Sequence, residues 1–530
     1  MNWRQWFVRK RLTVLLHEAA GEQQLRRILG PIALTSLGVG AIIGAGIFVM
    51  TGRAAAIDAG PSIMISYCIA GLGCLFAALC YAEFAAMAPV AGSAYTYAYA
   101  TLGELFAWII GWDLILEYAM ACACVAASWS EYLNELLKIC FDVEIPKYLL
   151  SDPFSTDGAW FNLPAVLIML LCTSILVMGI RESATANAAL VFVKVGVVLF
   201  VIVLGWRYVN TSNWTSIPPE QRIVGDAPAS KWGVFGLLGV NQWLVPIDDQ
   251  LRSPFMPYGL SGFMLGASIV FFAFIGFDSI STHSEEAKRP QRDVPIGILA
   301  SLVVCTLLYL LVSAVITGME PYPDIDQKAA IAAAFRKRAE VDQNPLLHAS
   351  AGLIAVGALA GMTSVLLISF LSQARIFLAM SRDGLLPASI FAAIHPRFRT
   401  PHRSTILTGL LVSLVAGLTP ITKLEEMVNI GTLMAFVIVC AAVWILRVRR
   451  PDAHRPFRSP MLHVVAPFGI LVNLTLMLFL PLDTWLRLVV WLLAGLGIYF
   501  FYGMGRSRLG LQLRGPASFA PAAAVVQAEA

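Results

Sequence analysis

Long apolar stretches recur along the whole chain and are separated by short polar connections. Each stretch approaches the roughly 20 residues that a helix needs to cross a hydrocarbon layer of about 30 Å. A membrane β-barrel would instead show alternating polarity in segments of about ten residues, and this chain has no such pattern. We therefore predict an all-α polytopic membrane protein with about twelve transmembrane helices. The predicted spans are approximately 32–53, 61–87, 101–127, 162–180, 187–206, 259–282, 296–318, 347–380, 404–419, 425–446, 462–481 and 485–504.

The composition agrees with a membrane protein and excludes several other classes. Hydrophobic residues make up 58% of the chain and charged residues only 13%, whereas a soluble protein is about a quarter charged. The net charge of +4 comes from basic residues in the connections, so no nucleic-acid partner is expected. The nine cysteines are scattered and none pairs with histidine at metal-ligand spacing. We predict no cofactor and no metal.

Lysine and arginine concentrate at one side of the predicted membrane. They lie in the N-terminal segment 1–30 and in the connections that follow spans six, eight and ten. Cytoplasmic connections carry an excess of these residues. Both termini are therefore expected in the cytoplasm, and the long segment 207–257 is expected outside as an extracellular insertion.

Two predicted spans contain glycine at mid-membrane depth. Span one has four glycines, at positions 38, 40, 44 and 46, each costing about 1 kcal/mol of helix stability relative to alanine. Span six has Gly276 and Asp278 near its middle. An unwound span one would present amides at a helix N-terminus, where an anion is favoured. A break in span six would free carbonyls that suit an ammonium group.

Two interrupted spans, five apart in order, are typical of inverted-repeat transporters with a binding site where the two spans cross. A zwitterionic α-amino acid matches this pair of polar ends. The alternative interpretation is that the glycines only allow close helix packing.

Several motifs in these regions resemble the amino acid–polyamine–organocation superfamily, and within it the cationic amino acid transporter family with its bacterial relatives. They are GAIIGAGIFV from Gly40, the segment Tyr81 to Tyr118, FFAFIGFDSISTHSEEAKRPQRDVPIGI from Phe271, QARIFLAMSRDGLLP from Gln373, and Thr400-Pro401. They cover spans one to three and six to eight in order, whereas spans eleven and twelve match only as apolar segments.

The resemblance implies a five-plus-five inverted repeat with broken helices 1 and 6. The transporter domain would cover 31–505, with a first repeat at 32–206, a second at 259–446 and peripheral helices 11 and 12 at 462–504. The N-terminal segment 1–30 and the tail 506–530 would be cytoplasmic, and the tail is expected to be disordered. The resemblance also implies the cell membrane of a bacterium.

The same resemblance implies a substrate site built mostly from backbone. The substrate carboxylate would bind amides around Ile43, Gly44, Ala45 and Gly46. The ammonium would meet carbonyls near Phe272, Ala273 and Ile275, and Phe277 would cover the substrate as an aromatic gate. Family members often carry threonine or serine where this chain has Ala45. That departure removes a hydroxyl contact and leaves backbone recognition intact.

Lys194 lies in the middle of predicted span five, far from either membrane surface. A charged lysine at this depth costs upwards of about 3 kcal/mol. Because burial disfavours the ammonium form, Lys194 is a candidate proton carrier. The alternative is a fixed structural charge that ties span five to the broken span one.

Glu117 in span three and Asp278 in span six are further candidates for proton coupling. A hydrogen-bonded structural carboxyl is the alternative for Glu117, and a helix cap is the alternative for Asp278. Glu83, Asp113 and Arg375 lie nearer the span ends and are interpreted as gate or packing residues.

Together these features predict a secondary active L-amino-acid transporter, with proton symport by alternating access. An amino-acid exchanger with Lys194 as a fixed charge is the first alternative, and a channel or membrane receptor is the alternative of a different class. No enzymatic activity is predicted. The expected partners are an amino acid, a proton and membrane lipid, with a monomer as the simplest state. The sequence leaves the substrate open, with a lean toward neutral amino acids.

Overall fold

A computed structural model describes residues 3–10, 29–90, 92–179, 184–216, 233–398 and 400–514. Within these residues the chain is helical, apart from connections and one isolated bridge between Leu29 and Ala287. The main helices are α1 Pro31–Ile42, α2 46–59, α3 Ile63–Met87, α4 Ser93–Thr101, α5 Glu104–Phe141, α6 Leu163–Met178, α7 Ala184–Gly205, α8 Gly259–Val270, α9 Ser279–Thr282, α10 Pro290–Met319, α11 Ala330–Asp342, α12 Pro345–Arg382, α13 His402–Leu418, α14 Ile421–Arg449, α15 Leu462–Phe479 and α16 Leu482–Ile498.

Nine helical segments of the described residues are long and apolar enough to cross a membrane, judged by length and composition. The first of these segments, Gly46–Met87, contains both α2 and α3. The helices α1, α6 and α13 are also apolar, but each has only 10–17 residues. The chain is therefore a multi-pass membrane protein, while the count of twelve spans and the inverted repeat stay predictions.

The first predicted span is interrupted where its glycines lie. Helix α1 ends at Ile42, and Ile43 then adopts an extended backbone with φ −73° and ψ 102°. Helical structure resumes at Gly46, where α2 opens with a wide π-helical turn over Gly46–Met50. The two half-helices therefore meet at residues 43–45, inside the buried core.

The sixth predicted span is interrupted as well. Helix α8 ends at Val270 and tightens into a 3-10 turn over Phe271–Phe274. Ile275 is extended, with φ −61° and ψ 135°. Gly276 has φ +116°, a conformation that L side chains rarely adopt. After this break the short helix α9 continues toward residue 282.

The two breaks lie directly against each other. A methyl group added at Gly46 would overlap the backbone of Ala273, and one added at Gly276 would meet the carbonyl oxygen of Ala41 at 2.8 Å. Around this crossing, α10 packs against α1 and α3, and α5 packs against α12 and α14. Gly46 therefore allows close packing of the two broken spans, and it also lies where the first span is interrupted.

The connections at one end of the bundle contain the lysine and arginine residues from which the membrane orientation is predicted. The end that carries residues 283–289, 383–398 and 450–461 is called the basic end below. At the opposite end α11 packs over α2, with residues 330–335 buried.

The predicted insertion and the predicted tails are only partly described. From the insertion the structure describes short helices Val234–Leu237 and Asn241–Leu251, while residues 217–232 lie outside the described residues. A helix covers Arg508–Arg514. Residues 515–530 of the tail and 11–28 of the N-terminal segment also lie outside the described residues.

Candidate functional site

The start of α2 offers amides that helix geometry leaves without partners inside the helix. The first four N–H groups of any α-helix have no intrahelical acceptor. The amide of Phe48 is already engaged, because it donates to the carbonyl of Gly44 at 3.4 Å. The amide of Ile43 donates to the carbonyl of Val39 at 2.9 Å. The candidate donors at the break are therefore the amides of residues 44–47, whereas Ile43 takes part through its carbonyl.

Lys194 reaches this same break from α7. Its Nζ donates to the carbonyl of Gly40 at 2.7 Å and to that of Ile43 at 3.2 Å. The side chain is only 1% exposed. These carbonyls are at the C-terminal end of α1, where the helix dipole favours a positive charge. Lys194 thus fastens α7 to the C-terminal end of α1 at the first-span break.

The carbonyls at the break of the sixth span are partly occupied by protein groups. Phe272 accepts from the amide of Ile275 at 3.2 Å. Ala273 accepts from the hydroxyl of Tyr309 at 2.8 Å. One turn earlier, the carbonyl of Ile269 accepts from the side chain of Asn429 at 3.1 Å. Since a carbonyl oxygen has two lone pairs, Phe272 and Ala273 keep the capacity to accept a second donor.

Phe277 follows the sixth-span break directly and is fully buried. Its ring centroid lies 5.0 Å from that of Phe436 and 5.9 Å from that of Tyr81. The ring therefore sits in an aromatic cluster formed with α3 and α14. The cluster fixes the position of the Phe277 ring beside the sixth-span break.

Asp278 does not cap α9, because its side chain makes no cap hydrogen bond. Instead, its Oδ2 accepts from the hydroxyl of Tyr118 at 2.7 Å. Oδ1 is buried and has no hydrogen-bond partner among the described residues. The helix-cap interpretation of Asp278 is therefore not supported, and the carboxyl instead links the sixth-span break to α5.

Glu117 and Asp113 are one turn apart on α5, and both are buried, with exposures of 1% and 0%. No oxygen of either carboxyl has a hydrogen-bond partner within the described part of the chain. A methyl group added at Gly431 of α14 would lie 2.9 Å from Oδ1 of Asp113. Two adjacent carboxylates without partners are too costly to be ionised together in a buried site. Asp113 and Glu117 therefore form a buried acidic pair on α5, with Asp113 lying against α14.

One ion pair at each end of the bundle joins a broken span to a neighbouring helix. At the basic end, Arg375 of α12 contacts Glu286 at 2.9 Å, just beyond α9. At the opposite end, Arg53 of α2 contacts Glu425 of α14 at 2.5 Å. Both pairs are mostly buried, with side-chain exposures of 22% and 21% for the first and 12% and 1% for the second. With both pairs formed, the breaks are fastened at both ends of the bundle.

Three buried tyrosines that hold the break regions were not singled out from the sequence. Tyr309 bonds the carbonyls of Ile42 and Ala273, Tyr132 bonds that of Phe48, and Tyr67 bonds Thr51. A hydroxyl inside an apolar span needs a partner, and that signal was present in the sequence. Which backbone group serves as the partner depends on tertiary contacts that the sequence does not reveal. Among the described residues no group of three or more His, Cys, Asp or Glu could hold a metal ion.

Comparison with known proteins identifies the family. Residues 29–499 match the model of the amino acid permease family. The chain is 42% identical over 501 residues to a methylthioribose transporter of Bacillus subtilis (strain 168), covering 94% of this chain and 98% of that protein. It is also 42% identical over 505 residues to a branched-chain amino acid permease of the same organism, covering 95% and 98%. A vacuolar cationic amino acid transporter of Arabidopsis thaliana is 35% identical over 432 residues, covering 82% of this chain and 65% of that protein. These relatives are named as transporters or permeases, and the chain belongs to the amino acid permease family.

Proposed function

We propose that this protein is a secondary active transporter of L-amino acids that binds its substrate between the two helix breaks. The observation that carries the proposal is the direct apposition of the breaks, with Gly46 against the backbone of Ala273. That contact brings the N-terminal end of α2 next to the C-terminal end of α8. A carboxylate bound at the N-terminal end of α2 and an ammonium bound at the C-terminal end of α8 match the two charged groups of one α-amino acid.

Backbone groups supply most of the proposed recognition. The carboxylate would accept from amides of Gly44, Ala45 and Gly46, and the ammonium would donate to carbonyls of Phe272, Ala273 and Ile275. Phe277 would close over the ligand from the sixth-span side. Ile43 would contribute indirectly, because its carbonyl already holds Lys194.

The proposed driving force is a proton gradient. Lys194 bonds two carbonyls of the first-span break, so loss of its proton would weaken the attachment of α7 to α1. Glu117 and Asp278 would take part from the other side, through α5 and the sixth-span break. A proton gradient can drive transport only if proton affinity differs between the outward-open and inward-open states. Lys194 bonds the first-span break and Asp278 follows the sixth-span break, so the proton affinities of these two groups would differ between the two states if the breaks rearrange.

Amino-acid exchange is the second candidate, and one observation favours it. Lys194 meets the C-terminal end of α1, which stabilises the charged form without any proton transfer. Such a lysine would be a fixed part of the site, and amino acid would cross only in exchange for amino acid.

For the substrate we propose a neutral L-amino acid with an apolar side chain. The groups nearest to the first-span break include Val365, which faces Gly44, and Phe48, which faces Gly361. The relative named as a branched-chain permease agrees with this class. The relative named as a methylthioribose transporter has the same identity, so a screen must include that compound as well as cationic amino acids.

The proposed location is the cell membrane, with both termini in the cytoplasm. This orientation rests on the lysine and arginine of the basic end. The test of function is uptake by the purified protein in liposomes, with and without an imposed pH gradient. Accumulation only with the gradient supports symport, uptake only against preloaded amino acid supports exchange, and no uptake of any amino acid contradicts the proposal.

A further inference from the structure

The helix Asn241–Leu251 of the predicted insertion, called the insertion helix below, carries an apolar stripe that the described residues leave exposed. Trp243, Ile247 and Leu251 follow one another at intervals of four residues, so they lie along one face of the helix. Their exposed fractions are 81%, 49% and 43%. The exposed carboxylate of Asp249 lies on the other side of the helix. An amphipathic helix of this kind is typical of a membrane surface.

The insertion helix lies at the end of the bundle opposite the basic end. Shortly after it, the chain enters α8 at Gly259, and α8 leads from that end toward the sixth-span break. Before it, the ring centroid of Phe235 lies 5.1 Å from that of Phe479, the last residue of α15. The insertion therefore packs against the terminus of a membrane-spanning helix, where lipid chains give way to headgroups.

Exposed apolar side chains occur on both sides of this contact. Leu237 and Leu238 of the insertion are exposed, and so are Leu471 and Leu474 of α15, as expected for a helix that faces lipid. A tryptophan with an exposed ring beside such a surface is typical of the boundary between acyl chains and headgroups. The insertion helix has no lysine or arginine, so anionic headgroups would not attract it. Acyl chains of any membrane lipid are therefore the partner that fits the stripe.

One buried side chain joins the insertion helix to α8. The Oδ1 atom of Asp248 accepts from the amide of Ser261 at 2.9 Å, and Oδ2 accepts from the hydroxyl of Ser261 at 3.0 Å. The guanidinium of Arg252 lies 3.8 Å from the same carboxylate. Ser261 belongs to the first turn of α8, where amides lack intrahelical acceptors and a negative charge is favoured. Asp248 thus caps the first half of the broken sixth span from a neighbouring helix.

We propose that the insertion helix is a lipid anchor for the sixth span. Trp243, Ile247 and Leu251 insert among acyl chains at the membrane surface, and Asp248 transmits this attachment to the N-terminal end of α8. The lipid contact itself does not depend on the proposed function. The other end of α8 leads into the turn whose carbonyls form one side of the proposed substrate site, so the anchor fixes the position of that side relative to the bilayer.

The first test measures where the apolar stripe lies. Cys68 and Cys140 are the exposed cysteines, and the others are buried, so Cys68→Ala with Cys140→Ala gives a background for spin labelling. A nitroxide label is attached through Ile247→Cys or, as the matched control, through Asp249→Cys. The protein is placed in phosphatidylcholine liposomes with oxygen, which concentrates among acyl chains, or with a nickel chelate, which stays in water. We expect the nickel chelate to be excluded from the label at 247 and to reach the label at 249.

Two results of this test would overturn the inference while the proposed function stands. Equal access of the nickel chelate to both labels would place the helix in water. Exclusion of both reagents from the label at 247 would show that protein covers the stripe, either a second copy or another chain. Neither result depends on transport.

The second test measures whether the insertion helix holds α8. Amide hydrogen exchange at residues 259–264 is followed by mass spectrometry for the wild type, Asp248→Ala and the control Asp249→Ala in liposomes. Loss of a helix cap of about 1 kcal/mol should make exchange about five-fold faster in Asp248→Ala. Asp249→Ala should stay within about two-fold of the wild type.

The same measurement tests whether the lipid contact reaches α8. Trp243→Asn should exchange faster than the wild type at residues 259–264, whereas the control Gln242→Asn on the polar side should match it. Wild-type exchange in Asp248→Ala or in Trp243→Asn would show that the anchor does not hold the sixth span. If Asp248→Ala does not fold, Trp243→Asn and the spin labels still decide the question.

Discussion

The contact between Gly46 and Ala273 gives the most direct structural prediction, tested by Gly46→Ala with Gly44→Ala as the matched control. The added methyl at Gly46 would overlap the Cα atom and amide region of Ala273, where no flexible side chain can move aside. At Gly44 the methyl would meet a side-chain methyl of Val365 at 2.9 Å. Neither glycine has a positive φ, so backbone strain does not enter the comparison.

Two opposing contributions determine how much each substitution changes the free energy of unfolding. Replacing a helical glycine by alanine stabilises a helix by about 1 kcal/mol. Forcing a methyl group into a packed interior costs about 1–3 kcal/mol. At Gly46 the cost dominates because the neighbour is backbone, so we expect a net loss of about 1–2 kcal/mol. At Gly44, which lies in the break, the methyl meets only one side-chain methyl, that of Val365, and the lower entropy of the unfolded chain offsets part of the cost, so we expect a smaller loss than at Gly46.

The assay is thermal unfolding of the purified variants in detergent, together with amino-acid binding. Gly46→Ala should unfold at a lower temperature than the wild type and bind more weakly, because the two breaks are forced apart. Gly44→Ala should unfold closer to the wild type than Gly46→Ala does. If Gly46→Ala is as stable as the wild type and binds equally well, the breaks do not lie against each other as described.

Three further predictions address coupling and gating. Lys194→Ala and Lys194→Arg should both lose accumulation driven by an inward proton gradient, because neither residue releases a proton in this range. If Lys194→Ala accumulates amino acid to the same level as the wild type, Lys194 does not couple transport to the proton gradient. Phe277→Ala should reduce liposome uptake more than it lowers the unfolding temperature, and unchanged uptake would remove Phe277 from the gate. Glu117→Gln should abolish gradient-driven accumulation and keep amino-acid binding, whereas Asp113→Asn should shift the pH at which accumulation is half-maximal. Wild-type pH dependence in both variants would show that this pair is structural.

The positions of the helices and of their breaks follow from local features of the sequence. The limits of the spans depend on apolar length, and the breaks depend on glycines at 44, 46 and 276, whose effect is local. This is why α3 ends at Met87 and α7 ends near Gly205, each within a residue or two of the predicted limits. The predicted start of the third span at 101 lies close to the separate helix α4, which ends at Thr101.

The partners of the site residues could not be predicted in the same way. Lys194 was expected to contact the first span, but the choice of Gly40 and Ile43 depends on how α7 packs against α1. Asp113 was interpreted as a gate or packing residue because it lies near a span end. Its unpartnered, buried carboxyl becomes evident only when α14 covers it with Gly431. Both contacts bring together residues far apart in the sequence, and no local pattern encodes them.

The most direct test of the proposed function is uptake of a labelled neutral L-amino acid into liposomes that contain the purified protein. An inward proton gradient is imposed across the membrane, and matched vesicles receive no gradient. We predict that the amino acid accumulates above its external concentration with the gradient and only equilibrates without it. The same final level in both sets of vesicles, or uptake only into vesicles preloaded with amino acid, would contradict proton-coupled transport.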